Sequence, residues 1–299
     1  METATKVLEG RVTVILPAHN EAAAIGDVIQ RVQATVKDCP ILVVDDGSTD
    51  ETARIAQEAG ARVVRHPYRK GNGAAVKTGL RSASTEYVVL LDGDGQHPPE
   101  KIPDLLVLAP THELVVAART GKAGSPLHRR LANFLYNLLA SYVTGRKILD
   151  LTSGFRLFHR PTILRYLYLF PNTFSYPATS TLALLRSGHS VAFVPVRFSP
   201  RTGKSKISLL ADGTRFLLII FRITMMFSPL RIFFPLSLLL FFAGSAYAGV
   251  RLYRFHTFPP AALLTLVTSV LVFALGLISE QIAQLRLAFT EEKEEVPRS

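Results

Sequence analysis

Asp92 and Asp94 stand one residue apart in LLDGDGQHPPE, residues 90–100, directly after an apolar run, and Gln96 follows two positions later. Carboxylates at i and i+2 repel unless something positive lies between them. A divalent cation of the Mg2+ or Mn2+ kind does this, taking one or two carboxylates and completing its shell with substrate phosphate and water. The acidic pair therefore predicts a phosphorylated ligand. Alone, an Asp-x-Asp flanked by Gly93 and Gly95 reads more readily as an exposed turn. Its company changes the reading: Pro17-Ala18-His19-Asn20-Glu21 and Asp45-Asp46-Gly47-Ser48 each also follow an apolar run. RKGNGAAVKTGL, residues 69–80, adds a glycine-permissive helix start that can bring Lys70 near a phosphate. It lacks the third glycine of a dinucleotide fingerprint, and a solvated lysine beside an ordinary cap is the plainer alternative.

The elements that must position these residues are legible in the hydrophobic pattern. VTVILP, ILVVDD, RVVRH, YVVLLD and LVVAAR alternate with helix-period segments over 22–36, 49–59, 73–82 and 102–108. Strands that are apolar throughout are covered on both faces, and strand-helix-strand order predicts a parallel sheet, an α/β Rossmann-like layer structure. Ligands of such sheets gather beyond the carboxyl ends of the strands, where the three acidic clusters fall. A helical pattern over 127–144 carries Arg129 and Arg130 near its start, DLTSGFRLF (150–158) is strand-like, and VAFVPVRF (191–198) is a further strand. The basic loop SPRTGKSKI follows.

The 299 residues carry a formal charge of +11, which favours anionic partners: phosphates, an acidic lipid surface or nucleic acid. No nucleic-acid module is recognisable and the basic residues are dispersed, so nucleic acid is the weakest of the three. The single cysteine, Cys39, excludes an intramolecular disulfide and a cysteine-cluster metal site. The N-terminus has no signal-peptide pattern, so the first domain is expected to stay in the cytoplasm. Ile232 to Tyr253 and Ala261 to Ser279 are apolar runs long enough to cross the ~30 Å of a bilayer core. Arg231, Arg251 and Arg254 at the ends can reach headgroups. Two spans return both termini to one side, and the basic stretch before the first argues for the cytoplasmic face of the cell membrane. Residues 207–230, with Arg215 and Arg222 seven apart, suit helices lying in the interface, with a third span as the competing reading.

Taken in order, VILPAHNEAAAIGDVI, ILVVDDGSTDETARIA, LLDGDGQHPPEKIPDLL, DLTSGFRLF and RTGKSKI resemble family 2 inverting glycosyltransferases of GT-A fold. The branch they are most similar to is the polyprenyl-phosphate glycosyltransferases, such as dolichyl-phosphate mannosyltransferase and bactoprenol glucosyltransferase. The resemblance covers roughly residues 10–210. It implies that Pro17, His19 and Glu21 line the nucleotide site, although many relatives have tyrosine where His19 stands. Asp45 and Asp46 would meet base and ribose, and Asp92, Asp94 and Gln96 the metal and diphosphate. Arg119, Arg130, Arg201 and Lys206 match basic residues placed around the donor and acceptor phosphates.

The implied chain has a GT-A domain over 1–204, juxtamembrane interfacial helices over 205–230, a two-helix membrane domain over 231–283 and a cytoplasmic tail over 284–299. The implied reaction moves a hexose from a nucleotide diphosphate sugar, of GDP-mannose or UDP-glucose type, to dolichyl or undecaprenyl phosphate with Mg2+ or Mn2+. A homo-oligomer is compatible with it. A phosphate monoester has its second pKa near 6 and is already nucleophilic at neutral pH. A hydroxyl acceptor would need a base, for which Asp150 is the candidate, with a turn or cap role as its alternative. The absence of tryptophan removes the Gln-x-x-Arg-Trp motif of processive polysaccharide synthases. A transferase with a hydroxyl acceptor and a silent, membrane-tethered nucleotide-binding scaffold are the rival readings.

Overall fold

The computed structural model describes residues 10–120, 127–172, 176–198, 221 and 224–292. The chain divides into two compact units, Met1–Gly213 and Thr214–Ser299. In the first, β1 (Val12–Ala18), β2 (Ile41–Asp45), β3 (Arg62–Arg65), β4 (Tyr87–Leu90), β5 (Leu114–Arg119), β6 (Arg156–His159) and β7 (Val191–Val196) make one sheet. Its order is β3-β2-β1-β4-β6-β5-β7. This is the mixed α/β sheet of a GT-A-like fold.

Alternation along β1 explains the layers. Val12, Val14, Leu16 and Ala18 face one side, packing with Ile25, Val28, Ile29 and Val32 of α1 (Ile25–Thr35) and Ala56 of α2 (Thr52–Glu58). Ile15 faces the other, where α3 (Asn72–Ser82) comes so close that a Cβ on Gly79 would stand 2.5 Å from Ile15 Cγ2. Both faces are therefore dry, which is why the strand is apolar throughout. The short α4 (Ile102–Leu106) adds Ile102, Leu105 and Leu106 to the first layer.

The sheet is not wholly parallel, as the strand-helix alternation predicts. β6 runs antiparallel to both β4 and β5. After β5 the chain makes α5 (Leu127–Thr144) and then a turn over 150–154 that is tied to the carboxyl end of β5 through Asp150. A strand that starts from that edge can only run back the other way. Two helices carry too little periodicity to be read beforehand, α6 (Arg160–Arg165) and α7 (Tyr176–Arg186). α7 buries Thr179, Ser180 and Thr181 together with Leu182 and Leu184, so it has no clear polar face.

The second unit contains α8 (Leu230–Phe255) and α9 (Pro260–Glu292), each long and apolar enough to cross a membrane. The windows have mean hydropathy 1.7 and 2.5. Leu239, Phe242 and Leu264 are 66%, 63% and 69% exposed, which a core helix of a soluble protein would not tolerate. The contact between the helices is made by small residues. A Cβ on Gly276 would lie 2.6 Å from Phe233 Cβ, and one on Gly244 would lie 3.2 Å from Leu266 Cγ. Ser269 Oγ donates to the Ser237 carbonyl at 3.0 Å. Most of the expected interfacial segment, 207–230, and the tail beyond 292 lie outside the described residues.

Candidate active site

Polar residues at the ends of β1, β2, β4 and β5 open into one cavity of about 410 Å3 in the first unit. Its wall includes Pro17, His19 and Glu21 after β1, Asp46 after β2, Asp92, Asp94 and Gln96 after β4, and Arg119 at the tip of β5. Because β6 is antiparallel, its approach from 150–154 reaches the same edge and adds Thr152 and Gly154.

The loops after β1 and β2 are clasped. Asn20, in the left-handed region at φ 57°, donates its N–H to Ser48 Oγ and accepts from Thr49 N–H with its side chain. Glu21 N–H donates to Thr52 Oγ1 and Ala22 N–H to Asp50 Oδ2. Much of the DGSTDET signature thus fastens one loop to the next. Asp45 is fully buried, accepting from Ser48 N–H with Oδ1; Arg65 Nε lies 3.1 Å from Oδ2 without hydrogen-bond alignment. Asp45 is not on the cavity wall. Asp46 is on it, and organises the 66–71 loop by accepting from His66 Nδ1 and from the N–H groups of Lys70 and Gly71, each at 2.8 Å. Burial pushes the Asp46 carboxyl up, but these bonds outweigh it and hold it below the ordinary carboxylate range.

The same loop turns Arg69 and Asn72 onto the wall, whereas Lys70 Nζ sits 5.6 Å from the Tyr68 ring centre. At the start of α3, Ala74 N–H donates to the Asn172 carbonyl at 2.8 Å, so residue 172 already takes one of the donors a phosphate would use.

Asp94 is held by Gln96, whose backbone N–H and side-chain Nε2 donate to its two oxygens at 3.1 and 2.7 Å. Asp92 has a close neighbour in Gly154, where a Cβ would fall 2.9 Å from Asp92 Oδ2. His97 Nδ1 accepts the Asp92 N–H at 3.0 Å and leaves its proton on Nε2, 3.7 Å from Asp92 Oδ2. Burial against Phe155 and Phe198 pushes His97 down to about 4, so it is neutral at physiological pH.

Asp150 is 7% exposed and saturated. Oδ1 accepts from Thr152 N–H, Thr152 Oγ1 and Ser153 N–H, and Oδ2 from the N–H and Nε of Arg119. It serves here as a turn-former and as the clamp that aims Arg119, whose Nη2 also donates to Thr152 Oγ1 and whose guanidinium lies 5.5 Å from the Phe198 ring centre. Behind the turn, Arg156 is fully buried and donates to the carbonyls of Leu151, Ser153 and Pro177 and to the hydroxyls of Ser180 and Thr181. Burial pushes Arg156 down to about 10, which still leaves it charged at neutral pH. Arg156 stitches the turn to α7, and α7 buries hydroxyls because this guanidinium needs acceptors.

Of the residues singled out in the sequence, the structure gathers Pro17, His19, Glu21, Asp46, Asp92, Asp94, Gln96 and Arg119 on one wall. It sets Asp45 behind that wall. Arg201, Lys206 and the side chain of Arg130 lie outside the described residues. Arg69, Asn72, His97, Thr152, Gly154 and Phe198 were not foreseen. Their only signal was adjacency to the recognised motifs, since none has a spacing that demands a ligand.

Among the described residues, four wall carboxylates, Glu21, Asp46, Asp92 and Asp94, face two guanidiniums, Arg69 and Arg119. A diphosphate entering beside them would be repelled without an added cation. Among the described residues no three His, Cys, Asp or Glu side chains come together as a self-sufficient cage. Carboxylates completed by substrate phosphate are the ligand set that suits Mg2+ or Mn2+, so the residues present fit such an ion.

A mixed sheet with carboxylates at the tip of β4 and a clamped guanidinium beside them defines a glycosyltransferase of GT-A kind. The chain belongs to Glycosyl transferase family 2, which residues 13–167 match, and residues 228–285 match the GtrB C-terminal hairpin. It is 29% identical over 214 residues to an undecaprenyl-phosphate mannosyltransferase of Micrococcus luteus, covering 66% of this chain and 88% of that one. It is 29% identical over 203 residues to a dolichyl-phosphate hexose transferase of Haloferax volcanii, covering 67% and 88%. Among solved structures, glucosyl-3-phosphoglycerate synthase of Mycobacterium tuberculosis, in complex with Mn2+, UDP and phosphoglyceric acid, superposes with a TM-score of 0.59. The identity there is 25%, over 75% of this chain and 81% of that one.

Proposed function

We propose that the protein transfers a hexose from a nucleotide diphosphate sugar, of GDP-mannose or UDP-glucose type, to a polyprenyl phosphate with inversion at the anomeric carbon. The observation that carries this reading is the juxtaposition, in one cavity, of Asp92 and Asp94 with an Arg119 aimed by a buried carboxylate. In this reading Asp92 and Asp94 hold the divalent ion, with Gln96 fixing Asp94. Bound there, Mg2+ or Mn2+ would neutralise the charge that develops on the departing diphosphate.

The chain's own residues do the rest. Pro17, His19, Glu21 and Asp46 line the nucleotide end, and Arg69 and Arg119 present positive charge to phosphate oxygens. His19 Nδ1 is buried and has no hydrogen-bond partner among the described residues, so a donor on the nucleotide would satisfy it. Asp150 keeps Arg119 oriented. With both its oxygens engaged it is a poor general base, which agrees with an acceptor that needs none. Arg130, Arg201 and Lys206 are assigned to the donor and acceptor phosphates by their match to the family's basic positions.

The two apolar helices and the hairpin match favour a lipid-borne acceptor over the soluble phosphorylated acid bound by the mycobacterial synthase. The domain limits follow the sequence reading: 1–204 catalytic, 205–230 interfacial, 231–283 membrane-spanning and 284–299 tail, with the catalytic unit and both termini on the cytoplasmic face. The test is transfer of radiolabelled sugar by the full chain in nanodiscs, with GDP-mannose and UDP-glucose as donors and a polyprenyl phosphate as acceptor. Label extracted into organic solvent and released by mild acid is the expected result. No such label with any donor overturns the proposal.

A further inference from the structure

α5 is apolar on both sides. Tyr136, Ala140 and Val143 are buried on its inner face. Phe134, Leu135, Leu138 and Tyr142 lie within about a third of a turn of one another on the outer face, and are 61%, 51%, 55% and 54% exposed. Among the described residues of the first unit, eight large apolar side chains are exposed. Four of them are on α5, and a fifth is Leu149, whose carbonyl Asn137 of α5 holds at 2.8 Å. The exposed apolar surface of the catalytic unit is thus concentrated here among its described residues, and such concentration marks a contact.

The surroundings say what is contacted. Arg146 and Lys147 are exposed directly after the helix, and Arg129 and Arg130 stand in its first turn. Basic residues at both ends of an apolar helical face are the pattern of a helix lying in a headgroup layer, with each cation worth roughly 1 kcal/mol near anionic lipid. A surface buried against protein would not need them. The net charge of +11 acts in the same sense.

We infer that the outer face of α5, continued by Leu149, docks on the surface of an anionic bilayer. The consequence for the reaction rests on the function proposed above. Leu149 immediately precedes Asp150, the clamp of Arg119, and Asn137 and Ser141 pin residues 148–151 to the helix. Docking α5 thereby sets the Arg119 side of the cavity at the level where a lipid phosphate presents itself.

The chain has no tryptophan, so a single one reports its own surroundings. The full-length Leu138→Trp protein, reconstituted in phosphatidylcholine vesicles with and without phosphatidylglycerol, is read by quenching with lipids brominated on the acyl chain. Tyr142→Trp serves as a second position and Val107→Trp, exposed but off this helix, as the reference. The expected result is a blue-shifted emission that loses about half its intensity to brominated lipid in the α5 variants, more strongly with phosphatidylglycerol, and little loss at position 107. Emission at both α5 positions that brominated lipid does not touch overturns the inference. This holds whether the side chains report water or, blue-shifted only at high protein density, a second copy of the chain. Equal quenching without the anionic lipid overturns the role of Arg146 and Lys147. Because the readout is not sugar transfer, quenching in a chain that glycosylates no lipid refutes the functional reading alone, and transfer without quenching refutes this one alone.

Discussion

The cavity unit and the helical hairpin pack by opposite rules. In the first, large side chains such as Ile15, Leu16 and Val89 are buried and carboxylates and guanidiniums crowd the strand ends. In the second, small residues, Ser237, Gly244 and Ala248, are buried and Leu239, Phe242 and Leu264 point outward. The surrounding medium accounts for the inversion. Water rewards burying the largest apolar groups, whereas hydrocarbon is indifferent to them and leaves close backbone approach and interhelical hydrogen bonds to hold the helices together. A substitution should therefore act through polar geometry in the first unit and through side-chain size in the second.

The largest test of that contrast removes a polar group that the fold does not need. Asp94→Ala should lower sugar transfer by about a thousandfold with an unchanged thermal melt, and should abolish the effect of Mn2+ on nucleotide binding by calorimetry. EDTA should do the same to the unaltered protein. Next comes a polar group the fold does need. Arg156→Met removes five hydrogen bonds and leaves the Leu151 and Ser153 carbonyls without the guanidinium, for a loss of about 3 kcal/mol measured by denaturant unfolding. An unchanged midpoint would show that the 150–154 turn does not depend on it.

Asp150→Asn keeps the size and removes the charge that aims Arg119. A loss of about 1.4 kcal/mol, or tenfold in kcat, is expected, with the donor KM little changed. Smallest for the site is Gly276→Leu, whose side chain would meet Phe233. It should weaken the hairpin by about 1 kcal/mol, seen as loss of disulfide trapping between paired cysteines on α8 and α9, while nucleotide binding stays the same. Altered nucleotide binding in that variant would break the contrast.

How legible these features were depended on whether their cause is local. Burial on both faces writes itself as an unbroken apolar run, so β1, β2, β4 and β5 were found close to their observed limits. The spans at 230–255 and 260–292 declared themselves through length and hydropathy, although the helices extend beyond the apolar runs because a helix does not end where its lipid-facing residues do. α7 was missed because its pattern answers to Arg156, a partner 20 residues or more away in sequence. The acidic motifs named their own cavity, but nothing in DDGSTD tells which aspartate faces it. Asp45 turns inward to Ser48 and Arg65, and Asp46 turns to the wall.

By itself the sequence determined which residues carry charge, which strands are dry and which helices suit lipid, because composition and periodicity follow from the solvent each segment meets. The direction of β6, the saturation of Asp150, the arrival of Arg69 and His97 at the cavity and the apolar outer face of α5 were decided only by tertiary structure. Each is a relation between segments distant in the chain, and a local pattern holds no record of what a side chain will meet once the sheet closes around it.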